Sequence, residues 1–487
     1  KISNCKKSPP NKRKPDKIKP SKTTKMEDTK MITEKAEKIH QINGIKIGYT
    51  DKTITSYGGF SMVAKFFEKV GVKDALEKIM PIQETSPNAM KADEKILGFM
   101  TLLLAGANRF SHLLYIGDPE SIKSLFGLNR LPLAGTTLTR YFNKIKTMWE
   151  SEHVSERIWD YIKSIVDWGR IKSDWLSFDS TVVTRYGKQG GAQKGYNPAK
   201  KGRPSHHPLL AFLNESRMVL NIWNRSGNTS SSNNIIAFFL SVYARIQGLI
   251  TIKGVLADAG FYNKEFIQTI ESKKLKYIIT AKLYYTLQRE IYDHDEWIQI
   301  EHGLWISEFK FKHEEWKKSL RYVVIRQSIK QRKQALGKQL RLFEIETEHY
   351  RYGCWVTNMD TDPLEVWRTI RGRSNDENTI KEFKEDLAFC GFSMNSFYAT
   401  EVAMLIRVLL YNLLLVFRTT FLPENEGSQR ISTLRFKYFI IPAHLGRDSS
   451  GRWLRLSVFQ TKLKTKIQSI LDAISTYSLP QTQLHCS

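Results

Sequence analysis

Between residues 55 and 171 apolar side chains recur every three to four positions, as in Ser61-Met-Val-Ala-Lys-Phe-Phe-Glu-Lys-Val70 and Lys95-Ile-Leu-Gly-Phe-Met-Thr-Leu-Leu-Leu-Ala105. That period predicts helices, broken by turn signals at Gly117-Asp118-Pro119 and Leu131-Pro132. The pattern then shortens. Trp175-Leu-Ser-Phe178 is a short apolar run that ends on Asp179 and leads into the β-branched Ser180-Thr-Val-Val-Thr184. Leu209–Leu213 and Arg217–Trp223 read as a hairpin, Asn234–Arg245 as a helix, Gly254-Val-Leu-Ala257 as a strand closed by Asp258, and Lys276–Ala281 as a further strand. From 282 to 359 apolar residues alternate with period two in Trp297–Ile300, Leu304–Lys312, Leu320–Arg326, Leu342–Thr347 and Tyr350–Thr357. A helix follows, capped by Ser374 or Asn375, with Ile380, Phe383 and Leu387 on its core face. The run after Ala403 is uncharged only from Val408 to Phe417, well short of the ~20 residues a membrane span needs, so it predicts a buried helix.

These segments set the expected organisation. Residues 1–43 form a basic tail, 44–170 a helical domain, and 171–281 the first part of an α/β core. A β-rich insertion spans 282–359, the second part of the core 360–420, and a basic C-terminal region 421–487. The first 40 residues carry thirteen Lys or Arg against five Asp or Glu, with prolines and no apolar run, a composition expected to be disordered. Within them Asn11-Lys-Arg-Lys-Pro15 reads as a localisation signal or a DNA-binding arm. The chain opens on Lys1, and Met26 and Met31 are candidate initiators; no secretory apolar segment is present.

Charge narrows the function classes. Seventy-five Lys and Arg against 49 Asp and Glu give a net charge of +26, which calls for a polyanionic partner. A ribosomal-type or membrane-surface protein fits the charge. The 487-residue length and the content of 11 Trp, 20 Tyr and 25 Phe favour a globular nucleic-acid enzyme. Cys5, Cys354, Cys390 and Cys486 are too scattered for a disulfide framework or a structural zinc site, and the adjacent His206-His207 reads as structural. Gly135–Phe142 is either a helix whose first turn meets DNA or a core helix.

The candidate chemistry lies in four places. At about 100° per residue, Arg373, Glu377 and Lys384 share one stripe of a helix, a metal-binding acid flanked by phosphate-binding cations; a solvated charged face is the plain alternative. Asp179 and Asp258 each end a strand, where functional groups gather in open α/β sheets, although a lone Asp there is usually a turn residue. The segment from Arg185 through Lys188, Lys200 and Lys201 to Arg203 holds six basic residues, no acid and several glycines, so its backbone can approach DNA closely. In the β-rich segment, Lys330-Gln-Arg-Lys333 with Lys338 and Arg341 could follow a DNA backbone. Tyr352 or Trp355 could stack a flipped base there or serve as sheet core. Lys462, Lys464 and Lys466 offer a basic helix face near the C-terminus.

Four ordered stretches, Phe178-Asp179-Ser-Thr181, Gly195–Phe212, Ala257-Asp258-Ala-Gly260 and Arg373–Lys384, together resemble the cut-and-paste insertion-sequence transposases of the DDE class, in the group with a Tyr-x2-Arg-x3-Glu-x6-Lys motif and a β-rich insertion. Ala403–Arg418 is similar to that family's closing core helix, and Ile370 stands where the motif has tyrosine. The order of strands and helices suits a ribonuclease-H-like α/β catalytic core with a β-rich insertion, preceded by a helical N-terminal domain, the fold the resemblance also implies. It further implies that Asp179, Asp258 and Glu377 hold two Mg²⁺ ions, with Mn²⁺ able to substitute. Arg373 and Lys384, with Arg185, Lys188, Lys200, Lys201 and Arg203, would bind phosphates. The implied partners are double-stranded DNA, as transposon terminal inverted repeats and target, and a second copy of the chain in the DNA complex. No membrane is expected, and the location would be cytoplasmic, nucleoid-associated if prokaryotic. The alternatives are a ribonuclease-H-like nuclease without strand transfer and an inactive or host-adopted transposase that only binds DNA.

Overall fold

The computed structural model describes residues 41–480 except 117–118, 133, 314–315, 329–349 and 393. The basic tail, most of the Gly117-Asp118-Pro119 turn, the Lys330–Lys333 stretch with Lys338 and Arg341, the Leu342–Thr347 strand, Cys5 and Cys486 lie outside the described residues. Residues 1–52 and 53–487 are two units. The described part of the first, residues 41–52, contains an antiparallel pair, β1 (Gln41–Ile42) and β2 (Ile45–Lys46), joined by Asn43 and Gly44 at positive φ.

The second unit begins with β3 (Ile54–Thr55) and a run of helices that includes α1 (Phe60–Lys69), α2 (Val72–Ile79), α3 (Ala92–Leu104), α4 (Pro119–Leu125), α5 (Gly135–Phe142) and α6 (Met148–Ile165). α3 is buried all round, and amphipathic helices such as α1 and α6 bury one face. In α1 this is Phe60, Met62, Val63, Phe66 and Phe67, and α6 opens with a capping box between Thr147 and Glu150. On α5, Leu138, Tyr141 and Phe142 face the core, and Gly135 lies so close to Phe110 that a Cβ would clash with it.

Then come β4 (Ser173–Ser180), the short β5 (Val183–Thr184), β6 (Gln193–Lys194) and β7 (Pro204–His206), the hairpin β8 (Leu209–Leu213) and β9 (Val219–Trp223), α7 (Ile235–Ile246), β10 (Thr251–Ala257), α8 (Lys264–Ser272) and β11 (Tyr277–Thr280). The strands of this core lie in the order β11-β10-β4-β8-β9. β10 is parallel to both β4 and β11, while β8 is antiparallel to β4 and to β9, a ribonuclease-H-like arrangement. β4 is the middle strand, and Trp175 to Phe178 are buried because both faces of the sheet are covered.

The period-two segment folds as α9 (Tyr285–Asp293), β12 (Ile298–Glu301), β13 (Leu304–Phe311), β14 (Leu320–Ser328) and β15 (Tyr350–Thr357). Its strands continue the core sheet. β15 pairs antiparallel with β11 from Ile278↔Thr357 to Thr280↔Trp355, and the nine strands run without interruption. An edge strand offers unpaired N–H and C=O groups, and the segment satisfies those of β11.

The chain then returns over the sheet as α10 (Pro363–Arg371), α11 (Ser374–Glu385) and α12 (Phe397–Phe421), and ends with a second hairpin, β16 (Ala443–Asp448) and β17 (Gly451–Leu456), and α13 (Thr461–Thr476). α10 seats Val366, Trp367 and Ile370 against Trp175, Leu256, Ile278 and Val323. α12 is long and apolar enough to cross a membrane, yet its apolar window is wholly buried in protein. It joins the helical region to the sheet: Phe417 and Phe421 meet Phe66, and Asn412 bonds both the N–H and C=O of Val219.

Where α6, α7, β9 and α12 meet, a cavity of about 170 Å³ is lined by Ser151, Ser155, Asn221, Arg245 and Glu401. Burial pushes the Glu401 carboxyl up to about 7, against the opposing hydrogen bonds from the Asn224 N–H and the Ser151 hydroxyl. A carboxyl raised in this way contributes stability that is complete below its unfolded pKa of 4.5 and is lost as pH rises through about 7. Glu401→Gln is therefore expected to leave stability unchanged at pH 4.5 and to raise it by on the order of 2 kcal/mol at pH 8. Urea unfolding at both pH values measures the difference, and an equal effect at the two contradicts the assignment.

Candidate active site at the strand ends

Phe178 of β4 lies opposite Ala257 of β10, so Asp179 and Asp258 leave neighbouring parallel strands at the same level. Strands stand ~4.8 Å apart, which brings two carboxylates to the carboxyl edge of the sheet side by side. Each is anchored locally. Asp179 Oδ1 accepts from the Ser180 N–H at 2.7 Å, and Asp258 Oδ1 from the Gly260 N–H at 2.8 Å.

The first turn of α11 closes over them. Arg373, immediately before the helix, places Nη2 3.0 Å from Asp179 Oδ2 and 3.3 Å from the Phe178 carbonyl. Asp376, 1% exposed, lies one turn on, with Oδ2 3.9 Å from Arg373 Nε. The Ser177 hydroxyl and the Asn214 amide, the latter at 3.1 Å, donate to its two oxygens. Asn375 adds a bond to the Asn214 carbonyl at 3.2 Å and receives one from Arg217 at 3.1 Å. The helix start is thus fastened to β4 and to the β8–β9 turn by polar contacts.

Electrostatics follow the burial. Desolvation raises the Asp179 pKa; Arg373 lowers it, and the like charges of Asp258 and Asp376 raise it again. Desolvation alone would lower that of Arg373, but Asp179, Asp258, Asp376 and Glu377 together outweigh it and hold the guanidinium charged. Asp376 is pushed up to about 6 by burial, against the pull of Arg373 and its two donors.

Of the residues expected from sequence, Asp179, Asp258 and Arg373 come together here. Glu377 sits in the same helical turn, exposed, and Lys384 is partly exposed two turns further along α11. Among the described residues no three His, Cys, Asp or Glu side chains converge as a metal site. Asp179 and Asp258 offer carboxylate oxygens, the ligand type that hard divalent cations take.

The basic segment lies on β5, β6, β7 and their connections. Lys188, Lys200, Lys201 and Arg203 are exposed, beside Tyr186 at 74% and Tyr196 at 75% exposure. Arg185 is not available to a phosphate. It is 4% exposed, donates to His206 Nδ1 at 3.1 Å, and holds the segment from below with the His206–Gly190 bond. Ile370 is a buried core residue of α10, so that position carries no polar group. Tyr352 is buried against Tyr292 and Trp297, and Trp355 packs on the inner cluster under α10. Lys466 pairs with Glu426 at 2.9 Å.

Sequence reasoning missed Asp376, Ser177 and Asn214. The signal was present for the first, since Asp376 stands three residues after Arg373, within contact range on a helix. Nothing in the sequence marked the other two. Asp376→Ala would leave the Ser177 hydroxyl and Asn214 amide buried without their acceptor and is expected to lower unfolding free energy by about 2 kcal/mol. Chemical denaturation checks this, and an unchanged midpoint would show that α11 is held by other contacts.

No curated protein matches the chain. A solved structure, the cryo-EM synaptic complex of piggyBac transposase with hairpin DNA, is similar over 89% of this chain and 86% of that one, at 10% identity and a TM-score of 0.46. At that distance no residue correspondence follows. The family model described as transposase DDE domain, group 1, matches residues 38–478. With most of the sequence matched and acidic strand ends on a ribonuclease-H-like sheet, this chain belongs to the group 1 DDE-domain transposase family.

Proposed function

We propose that the protein cuts DNA at transposon ends and joins them to target DNA, with Asp179, Asp258 and Glu377 as its acids. The observation that carries this is the placement of Asp179 and Asp258 at one level on adjacent parallel strands, beside the helix that bears Glu377. Two Mg²⁺ ions, or Mn²⁺ in their place, would be held by these three carboxylates. When bound they supply Lewis-acid polarisation of the scissile phosphate and a lowered pKa for the attacking hydroxyl. The remaining work belongs to the chain. Arg373 neutralises Asp179 and fixes the acids in position, and Lys384 grips a phosphate next to the scissile one. Lys188, Lys200, Lys201 and Arg203 bind the backbone further out. In cleavage, water oxygen bonds to phosphorus as the P–O bond to the 3′-oxygen breaks and that oxygen gains a proton. In joining, the freed 3′-hydroxyl takes the place of water. Transposon ends come as paired inverted repeats, so two copies of the chain acting together belong to this reading.

Asp179→Asn, Asp258→Asn and Glu377→Gln are each expected to slow end cleavage by about a hundredfold to a thousandfold while end binding stays within a few-fold. Chelation of divalent ions should abolish cleavage. Near-normal cleavage by any one variant removes that residue from the set, and cleavage without joining reduces the protein to a nuclease.

Lys384→Ala and the double change Lys200→Ala/Lys201→Ala separate grip from chemistry. Both should weaken DNA binding, the double change lowering the slope of log affinity against log salt by about 2. Only Lys384→Ala should also slow single-turnover cleavage of bound DNA, and a normal rate would make the stripe of Arg373, Glu377 and Lys384 a solvated face.

A further inference from the structure

The β16–β17 hairpin carries an arrangement that the fold does not need. Its base is ordinary: Ala443↔Leu456 and Leu445↔Leu454 are apolar cross-strand pairs, and β16 pairs with β3 along its first residues. Toward the tip, Arg447 lies directly opposite Arg452. Like charges at opposed positions destabilise a strand pair, and neither arginine has an acid partner among the described ion pairs. Among the described residues the Arg452 guanidinium donates to the Ser124 hydroxyl, at 2.9 Å.

The other face is cationic as well. Trp453 lies flat across Gly446, where a Cβ would meet the indole at 2.0 Å, so no other residue fits beneath it. Arg455 stacks on that indole with its guanidinium carbon 4.2 Å from the ring centre, and His444 meets it edge-on at 5.0 Å. Stacking holds a guanidinium plane in place while leaving its N–H donors free for a phosphate. Asp448, the hairpin's one acid, is turned onto Ser450. Both faces of the two-stranded ribbon therefore present exposed arginines, of which Arg452 is held by Ser124 and Arg455 by Trp453.

From this we infer that the hairpin tip enters a groove of duplex DNA and binds the phosphates on its two sides. A major groove ~12 Å wide admits a two-stranded ribbon, and its walls are two phosphate backbones, one for each cationic face. A single strand or a flat acidic surface would satisfy only one face. The inference rests on the reading of the protein as a DNA-acting enzyme, and adds a second contact region to it, on β16 and β17 rather than on the basic segment beside Asp179.

The test uses the full chain without divalent ions, so that nothing is cut, and a duplex of random sequence. Arg447→Ala/Arg452→Ala/Arg455→Ala is expected to lower the slope of log affinity against log salt by about 2 to 3, while the corresponding lysine triple variant retains it. The thermal midpoint of the alanine variant should stay close to that of the parent, because relief of the Arg447–Arg452 repulsion offsets the lost Arg455–Trp453 stack and Arg452–Ser124 bond. An unchanged slope with a parent that binds DNA overturns the hairpin's role and leaves the proposed function standing. A parent that does not bind DNA overturns both. Equal loss of affinity for single-stranded DNA removes the groove, and competition by polyglutamate as strong as by duplex assigns the face to an acidic protein.

Discussion

A carboxylate carried at the end of β4, third from the β9 edge of a nine-stranded sheet, has to be compensated where it is buried, and here the compensation is Arg373. β4 is buried on both faces because the sheet is covered on both, and its last turn outward is Asp179. The neighbouring parallel strand adds the half-buried Asp258 at the same level, and its like charge adds to the desolvation that opposes ionisation of Asp179. One guanidinium 3.0 Å from Asp179 and 3.9 Å from Asp376 serves the group, and it can do so only if α11 begins there. The acids fix the helix as much as the helix fixes the acids.

The far end of α11 is held by a different device. Arg407, fully buried on α12, donates to the Leu387 and Ala388 carbonyls just past the helix, where the helix dipole is negative, and lies over Phe99 of α3 and Phe392. Burial pushes its pKa down to about 9, which still leaves it charged at neutral pH. Arg435 bridges the Asp386 carbonyl to that of Leu104, while Arg418 pairs with Glu382 and Arg430 with Asp386. Buried charges of this kind contribute little net stability, but breaking a pair is costly, so they fix one placement of α11. Contacts reaching α3 thus hold the C-terminal end of the helix that bears Glu377.

Much of this was legible in the sequence because burial leaves periodic marks. The runs ending at Asp179 and Asp258 read as strands since a covered sheet demands continuous apolar residues there. The hairpin at 209–223 and the helix at 235–246 carried equally plain patterns. Other features depend on pairing between distant segments, which no local pattern encodes. The β-rich segment read as an insertion, yet its continuity with the sheet rests on β15 finding β11. Arg185 looked like its exposed basic neighbours, and only the fold turns it inward onto His206. Ser177 sat unmarked inside the apolar run 175–178, and only the fold brings it to Asp376, about two hundred residues away.

The central claim is that Asp179, Asp258 and Glu377 share the metal at which DNA is cut. The most direct measurement replaces Mg²⁺ with Fe²⁺ in the DNA-bound protein and adds peroxide, so that hydroxyl radicals formed at the metal cut the nearby polypeptide. The account predicts fragments ending close to residues 179, 258 and 377, absent when Asp258 is changed to Asn. Cuts confined to other parts of the chain, or the same three cuts in that variant, would contradict it.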